Sequence, residues 1–346
     1  MSNTTGFINS APDWRAQLRR NQARTRWVIA IFILFYLVVG LLIDTYIYSG
    51  KYYNVGLETI FIALITFHLT PMATLITAMI AIISLLVTYG LYDKIMLLGT
   101  DYREITPQSA QSLAEKQLYN VIEELKIAAG LKYMPRVYII KADYMNAFAS
   151  GYSEKSAMVA ITAGLIAKLE RSELQAVMAH ELSHIRHGDI KLTLMASVLS
   201  NILLIAVDIL FYSAVFSRDR RREDNNGLMI AIILLRYLLP ITTVLLTLYL
   251  SRTREYMADA GCVELMRDNI PLAKALVKIH QDHLSNVNTY SQEYSQTAHE
   301  DVRRAAYVYD PVQSGIQPVK SLSTLFSTHP DIKDRLAALG VKAADM

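Results

Sequence analysis

Long apolar stretches alternate with polar segments along the chain, and four of them approach or exceed the length of a membrane-crossing helix. The stretches are residues 27–47, 60–92, 192–216 and 228–250. Twenty-one helical residues reach about 31 Å, which matches the hydrocarbon core of a bilayer. The second stretch is longer than one crossing needs, so it is predicted as a kinked or overlong helix with its span near Met72–Tyr92. The pattern therefore predicts an integral membrane protein.

The last two stretches contain residues that are rare in a lipid-facing helix. Asp208 interrupts the third stretch, and Arg236 and Pro240 interrupt the fourth. Ionisable side chains within a membrane usually face a helical bundle or water. Residues 191–250 are therefore predicted to form an apolar helical hairpin. Whether the hairpin crosses the membrane fully stays open, because an arginine-rich loop joins its halves.

Positive charge before the first apolar stretch predicts the orientation of the chain. Five arginines lie between residues 15 and 26. By the positive-inside rule, residues 1–26 form a cytoplasmic arm and residues 27–92 cross the membrane twice. The polar segment that follows, residues 93–190, is then cytoplasmic.

The polar segments predict a mostly α fold with a small β-sheet. Arg136–Ile140 and Ala157–Thr162 are rich in β-branched and aromatic residues and are predicted as strands. Capping signals predict helices that begin at Pro107 and Ser172, and further helices are expected over residues 251–268, 271–284 and 332–339. Residues 285–318 are polar and rich in tyrosine without a clear period, so we expect a long surface loop there.

Composition supports a membrane protein and excludes several other classes. Hydrophobic residues make up 53% of the chain and charged residues 19%, where a soluble domain averages about 25% charged residues. The net charge of +3 is too balanced for a nucleic-acid-binding protein. Because Cys262 is the single cysteine, an intramolecular disulfide and a cysteine-rich zinc site are excluded. A bound metal would need histidine, aspartate or glutamate ligands.

The run HELSH at residues 180–184 carries the main chemical signal. His180 and His184 are four residues apart, so on a helix they lie on one face about a turn apart. Both imidazoles could then reach one zinc ion at about 2.0–2.1 Å. Glu181 projects from the neighbouring face, where it could act as general base on a water that the zinc activates.

Two histidines leave a catalytic zinc site short of one protein ligand. The sequence offers Glu255, Asp259, His187 and His329 as candidates, besides the remaining histidines. Glu255 and Asp259 lie four residues apart on a predicted helix, so one could bind the metal while the other accepts the free N–H of a ligand histidine. His187 follows His184 too closely to reach the same ion and is expected at the surface or beside a ligand.

Several motifs in order resemble the HtpX family of membrane zinc proteases, which is related to the CAAX prenyl endopeptidases. These are the N-terminal spans, HELSH at residues 180–184, SRTREYMAD at residues 251–259 and FSTHPDIKDR at residues 326–335. The resemblance implies a gluzincin-type zinc protease core formed by two parts of the chain, residues 93–190 and residues 251–346.

The resemblance also implies the roles of the site residues. One Zn²⁺ per chain is implied on His180, His184 and Glu255. Asp259 is implied as the partner of a ligand histidine, which we expect to be His180. Glu181 is implied as the catalytic base.

Two further residues are implied to assist catalysis. Asn146 lies in a stretch similar to the family's substrate-binding edge, and His329 lies in the last motif. Both are candidate donors to the oxyanion of the tetrahedral intermediate, where one donor typically contributes about 3 kcal/mol. Spacing alone selects neither residue.

The function implied by the resemblance is hydrolysis of misfolded or damaged membrane proteins in stress response. The expected location is the bacterial inner membrane, with a multi-pass chain and an active site that faces the cytoplasm. Polypeptide substrates and the lipid bilayer are the expected partners, nucleic acid is not, and the oligomeric state stays open.

Two alternatives remain at this point. A CAAX-type processing protease would act on a defined lipidated substrate and would have more spans than the four apolar stretches allow. A non-enzymatic, zinc-stabilised scaffold or metal transporter would explain Asp208 and Arg236, but it predicts a closed zinc shell and no role for Glu181.

Overall fold

The computed structural model describes residues 14–341 except residues 53, 152, 189–202, 214, 217–225, 298–299 and 317–328. Within these residues the fold is mostly helical with one small mixed sheet. Residues 1–13, the first half of the predicted N-terminal arm, lie outside the described residues. Residues 192–202 of the third apolar stretch do so as well.

The helices and strands have the following bounds. The helices are α1 Trp14–Lys51, α2 Leu57–Ile65, α3 Met72–Leu97, α4 Leu113–Ala128, α5 Ala163–Lys168, α6 Arg171–His187, α7 Leu203–Ser213, α8 Asn226–Met266, α9 Ile270–Ser285, α10 Val287–Gln296, α11 Glu300–Arg304 and α12 Ile332–Ala338. The strands are β1 Tyr102–Ile105, β2 Arg136–Ile140, β3 Ala147–Ser150 and β4 Met158–Thr162.

The sheet has the strand order β1-β2-β4-β3. The central pair β2 and β4 is parallel, and both outer strands run antiparallel to their neighbours. The two predicted strands are the central ones, because only they have the length and β-branched content of a typical strand. The short outer strands were not predicted. Strand β3 forms one edge of the sheet, and helix α6 packs against it.

Alternation along the strands divides the interior into two clusters. Val137, Ala149 and Val159 face the cluster that contains the apolar sides of α4, α6 and α9. Phe148 and Met158 face the opposite cluster, which contains the end of α3 and several tyrosines. Helix α6 is therefore enclosed by the first cluster, and every residue from Ala176 to Ile185 is buried.

Two helix starts differ from the prediction. Helix α4 begins after Ser112, which forms a capping box with Glu115, because the residues from Thr106 to Ser109 form a separate hydrogen-bonded turn. Helix α6 begins after Glu170, which forms a capping box with Glu173. In both cases two possible capping residues lie close together, and the local sequence does not show which of them starts the helix.

The prediction of a long surface loop over residues 285–318 is wrong. The segment contains α10, α11 and a 3₁₀ turn at Pro311–Ser314, and four of its tyrosines are buried. Arg303, which is also buried, donates to the carbonyls of Met96 and Leu98 and so joins this segment to the end of α3. The sequence shows no helical pattern of aliphatic residues here, because the buried positions are tyrosines. Their rings pack in the interior and their hydroxyls have hydrogen-bond partners.

The N-terminal helices contain one helix long and apolar enough to cross a membrane, Ile29–Lys51 within α1, among the described residues. The second apolar stretch is divided between α2 and α3, so it does not form one kinked helix. Buried Asp44 of α1 explains the break, since its carboxylate accepts hydrogen bonds of 2.8 Å from the backbone N–H groups of Ala73 and Thr74 and thereby caps α3.

The fourth apolar stretch continues into the next predicted helix. Helix α8 runs from Asn226 to Met266 without the predicted boundary at residue 250, because the change from apolar to charged composition there brings no helix breaker. Arg236 of α8 forms an ion pair with Asp208 of α7 at 3.2 Å. The two ionisable residues that the sequence singled out within the hairpin therefore bind each other.

Candidate metal centre

Helices α6 and α8 bring the predicted ligands together. His180 and His184 lie one turn apart on α6, and Glu255 lies on the facing side of α8. The two helices approach closely at Gly261, where an added Cβ would lie 2.5 Å from the hydroxyl oxygen of Ser183. The absence of a side chain at this position therefore sets the spacing of the helices that carry the cluster.

The cluster has the dimensions of a tetrahedral metal site. The Nε2 atoms of His180 and His184 are 3.2 Å apart. The carboxylate of Glu255 places one oxygen 3.5 Å from His180 Nε2 and the other 3.6 Å from His184 Nε2. Ligand atoms of a tetrahedral site with bonds of about 2.0–2.1 Å are separated by roughly 3.3 Å. The three side chains thus fit a small divalent ion without rearrangement of their helices.

Asp259 fixes the ring of His180 from the side opposite the cluster. Its Oδ1 lies 2.9 Å from His180 Nδ1. Arg335 of α12 holds the same carboxylate through Nε at 2.9 Å and Nη2 at 2.6 Å. Burial alone would raise the pKa of Asp259, but the Arg335 guanidinium lowers it. Asp259 is therefore a carboxylate that accepts the Nδ1 proton of His180 and leaves Nε2 directed at the cluster.

The two glutamates of the centre differ in their electrostatic surroundings. Burial opposes ionisation of both, yet the imidazoles of His329, His180 and His184 hold the pKa of Glu255 well below its usual value. The pKa of Glu181 is instead raised, because its burial outweighs the effect of the two ligand histidines. Glu181 also lies against the backbone of Ala149 on the edge strand. A carboxylate with a raised pKa beside a metal site is suited to accept and return a proton.

The other three candidate residues of the sequence, His329, His187 and Asn146, lie in different surroundings. His329 is buried, with its Nε2 3.6 Å from an oxygen of Glu255, so it lies at the centre. His187 is buried against α8 at Gly261. Asn146 is fully buried, and its amide donates to the hydroxyl of Tyr294 at 3.2 Å and to the carbonyl of Tyr309 at 2.9 Å. Both N–H groups of Asn146 are thus engaged.

The contacts of Asn146 were not predictable from the sequence. Its partners Tyr294 and Tyr309 lie about 150 residues further along the chain, in the segment expected to be a surface loop. Gly261 was also missed, although its place between Ala260 and Cys262, next to the EYMAD run, gives a signal for close helix packing.

Comparison with known proteins agrees with this geometry. Peptidase family M48 matches residues 112–342. The chain is 38% identical over 322 residues to a Protease HtpX homolog of Helicobacter pylori, covering 93% of this chain and 96% of that protein. It is 32% identical over 330 residues to a Protease HtpX homolog of Limosilactobacillus fermentum, covering 93% and 98%. The chain belongs to peptidase family M48.

This membership identifies the class of the protein. The chain is a membrane metalloprotease, and its family implies a bound metal ion. The resemblance to HtpX proteases read from the sequence is confirmed. Among solved structures, the crystal structure of S. mikatae Ste24p is similar, with a TM-score of 0.48 and 20% identity, over 86% of this chain and 66% of that chain.

Proposed function

We propose that the chain is a membrane-bound zinc endopeptidase of the gluzincin type that hydrolyses misfolded or damaged membrane proteins. The observation that carries the proposal is the buried cluster of His180, His184 and Glu255, whose atoms have the separations of a tetrahedral zinc site. Zinc is the ion that best suits two imidazoles and one carboxylate with one position left over.

The residues around the cluster have separate tasks in this proposal. When bound, zinc supplies Lewis acidity, which lowers the pKa of water and polarises a peptide carbonyl. Glu181 accepts the proton of the attacking water and returns it to the leaving amine. Asp259 holds the tautomer and the orientation of His180. Arg335 keeps the Asp259 carboxylate in place.

His329 and Asn146 have different standing in this proposal. His329 lies next to Glu255 and is proposed as a donor to the oxygen of the scissile carbonyl. Asn146 could act as a donor only after releasing Tyr294 or Tyr309. Its present contacts support a role in positioning the edge strand instead.

The substrate is proposed to lie extended beside strand β3. An edge strand binds a polypeptide through main-chain hydrogen bonds, which place little demand on its sequence. Such binding suits an enzyme that removes damaged proteins of many kinds. Glu181 lies against Ala149 of this strand, so the catalytic carboxylate is at the same edge.

The membrane arrangement belongs to the proposal as well. We propose a cytoplasmic arm at residues 1–26, two spans within residues 27–92, an apolar hairpin at residues 191–250, and a catalytic unit built from residues 93–190 and 251–346. Outward-facing apolar side chains on α3, α7 and α8, such as Ile82, Ile209 and Leu238, support contact with a bilayer. Arginines in the first part of α1, before its apolar portion, support a catalytic unit on the cytoplasmic side of the bacterial inner membrane.

A glutamate exchange tests the proposed function. The full chain in detergent micelles, loaded with Zn²⁺, is expected to cleave casein, and Glu181→Gln is expected to lower the rate by at least about 10³-fold because the proton acceptor is lost. Zinc content, measured by plasma mass spectrometry, should be unchanged. Glu124→Gln makes the same exchange at an exposed position of α4 and should keep full activity. Undiminished cleavage by Glu181→Gln, or a zinc-loaded wild type without activity, would overturn the proposal.

A further inference from the structure

The outer edge of strand β3 is partly covered by the chain itself. Tyr307–Tyr309, here called the strap, lies antiparallel to the strand, and Tyr307 forms an isolated bridge with Phe148. The backbone N–H of Val308 donates to the carbonyl of Ala147 at 2.8 Å. The strap therefore adds a very short fifth strand on the side of β3 away from β4.

Two buried side chains hold the strap in place. Asn146 binds both backbone groups of Tyr309, since its Oδ1 accepts from the N–H at 3.3 Å and its Nδ2 donates to the carbonyl at 2.9 Å. Arg335 donates to the carbonyl of Val308 at 2.8 Å. Because Arg335 also binds Asp259, the strap is joined to the residues that orient the metal cluster.

The strap engages only one end of the edge strand. In a strand, alternate residues direct their N–H and C=O groups to the same side, so Ala147 and Ala149 of β3 face this edge. Both groups of Ala147 are already engaged, because its N–H donates to Asn146 Oδ1 at 3.1 Å and its carbonyl accepts from Val308. The bridge to Phe148 is where the pairing with the strap ends. The carbonyl of Ala149 lies beyond it.

The catalytic carboxylate lies at the boundary between the two parts of the edge. Glu181 contacts the backbone of Ala149, which directly follows the covered part. A peptide bond presented to Glu181 would thus meet the end of β3 that the strap does not pair with on one side, and the strap on the other. The two halves of a bound substrate meet different surfaces.

We propose that the strap sets the register of the substrate by ending the binding edge at Phe148. This inference rests on the proposed function. An extended polypeptide pairs with Ala149 on one side of the scissile bond, and on the other side the strap displaces it from the sheet. Asn146 is then a positioning residue that acts through the strap and does not touch the reacting atoms.

Backbone methylation of a substrate tests directly whether the substrate pairs with β3 on only one side of the scissile bond. The probe is a synthetic peptide of about 12 residues, taken from a cleavage site mapped in casein, with one N-methyl amide placed at each position in turn. N-methylation at a paired position removes one hydrogen bond and is expected to lower kcat/KM about tenfold. The zinc-loaded wild-type chain should show these losses on one side of the scissile bond only. Equal losses on both sides would overturn the proposal.

Release of the strap provides the second test. Asn146→Ala removes both hydrogen bonds to Tyr309, so the carbonyl of Ala147 becomes available to substrate. The methylation-sensitive region should then extend across the scissile bond by about two residues, and the mapped cleavage sites should shift. Asn286→Ala makes the same exchange in the C-terminal half but away from β3, where the amide contacts Asp282, and should leave the profile unchanged.

The outcomes distinguish register setting by the strap from a direct catalytic role of Asn146 and from failure of the proposed function. If Asn146→Ala folds with an unchanged melting temperature and lowers kcat by 10²–10³-fold without a change in the methylation profile, Asn146 donates to the oxyanion and the strap does not set the register. If the wild type cleaves no peptide, the proposed function fails and this inference fails with it. A one-sided profile in the wild type supports the strap even when Asn146→Ala does not fold.

Discussion

The metal cluster and the tyrosine cluster are both buried and polar, but they satisfy their polar groups in opposite ways. The metal cluster consists of His180, His184 and Glu255, and a carboxylate oxygen of Glu255 makes no hydrogen bond. The tyrosine cluster consists of Tyr144, Tyr290, Tyr294, Tyr307, Tyr309 and His283. Its polar groups have protein partners, since His283 Nδ1 lies 2.8 Å from the carbonyl of Ile279, His283 Nε2 lies 3.2 Å from the hydroxyl of Tyr294, and the hydroxyl of Tyr290 donates to Asp282 at 2.7 Å.

This difference indicates that the metal cluster is suited to bind an ion and the tyrosine cluster to stabilise the fold. Buried charge without enough protein partners is costly unless a further charge is supplied. The metal cluster therefore has the ligand atoms and the negative charge that suit a bound metal ion, which the family implies. The tyrosine cluster needs no further component, and its rings form the interior beneath the strap. Changes at the first should alter metal affinity and rate, and changes at the second should alter stability and its pH dependence.

The largest effect is expected from loss of the carboxylate that joins the metal cluster to Arg335. Asp259→Asn leaves the buried guanidinium without its bidentate ion-pair partner, which should cost about 3–5 kcal/mol of unfolding free energy. Because His180 loses its charged acceptor and faces a neutral amide instead, zinc affinity should fall by about 10–100-fold. Chemical denaturation and competition with a zinc chelator measure the two effects.

Asp334→Asn is the matched control for this exchange. Asp334 lies on α12 next to Arg335 but is exposed, so stability and zinc affinity should stay close to those of the wild type. An Asp259→Asn protein that binds zinc as tightly as the wild type would show that the ligand histidine needs no charged acceptor.

A pH effect of intermediate size is expected from the tyrosine cluster. Burial lowers the pKa of His283 from 6.5 to about 4. The folded state therefore keeps this imidazole neutral, while the unfolded state takes up a proton as the pH falls below 6.5. Stability is fully present above pH 6.5 and is lost as the pH falls towards 4, by about 3 kcal/mol in total.

Replacement of His283 should remove this dependence of the unfolding free energy on pH. His283→Gln is expected to flatten the dependence of the unfolding free energy on pH between 6.5 and 4, measured by urea denaturation at fixed pH values. His68→Gln, at an exposed position outside the cluster, should retain the slope of the wild type. A slope that persists in His283→Gln would assign the acid sensitivity to other groups.

The smallest effect is expected where α6 and α8 touch. Gly261→Ala places a methyl group against Ser183, so the helices must separate slightly, at a cost of about 1–3 kcal/mol. The same separation moves Glu255 relative to the histidines and should weaken zinc binding. Gly227→Ala lies on the same helix with open space around it and should leave both quantities unchanged or slightly improved. Equal zinc affinities for the two variants would show that this contact does not set the ligand geometry.

The metal cluster could be predicted from the sequence because its chemistry is periodic and local. His180 and His184 share one helical face, and so do Glu255 and Asp259, so the spacing alone placed each pair. The pairing of α6 with α8 came from the resemblance to HtpX proteases. No pattern within a single segment reports on the approach of two helices that lie about 75 residues apart.

The tyrosine cluster could not be predicted for a physical reason. Tyr290 and Tyr294 are one turn apart on α10, but serine, glutamine and glutamate surround them, so the segment reads as polar. Their burial depends on hydroxyl partners such as Asn146 and His283, which come from other parts of the chain. The outer strands were missed similarly, since β3 has four residues and gains its place from the strap as well as from β4.

Helix α8 connects an apolar segment directly to a residue of the metal cluster, Glu255. Its 41 residues form a rod about 62 Å long, roughly twice the hydrocarbon thickness of a membrane. No loop separates the apolar portion from the turn that carries Glu255, so in the proposed membrane arrangement a rotation of the apolar half about the helix axis would also turn the carboxylate. In that arrangement, lipid composition would act on the metal cluster through tilt and hydrophobic mismatch.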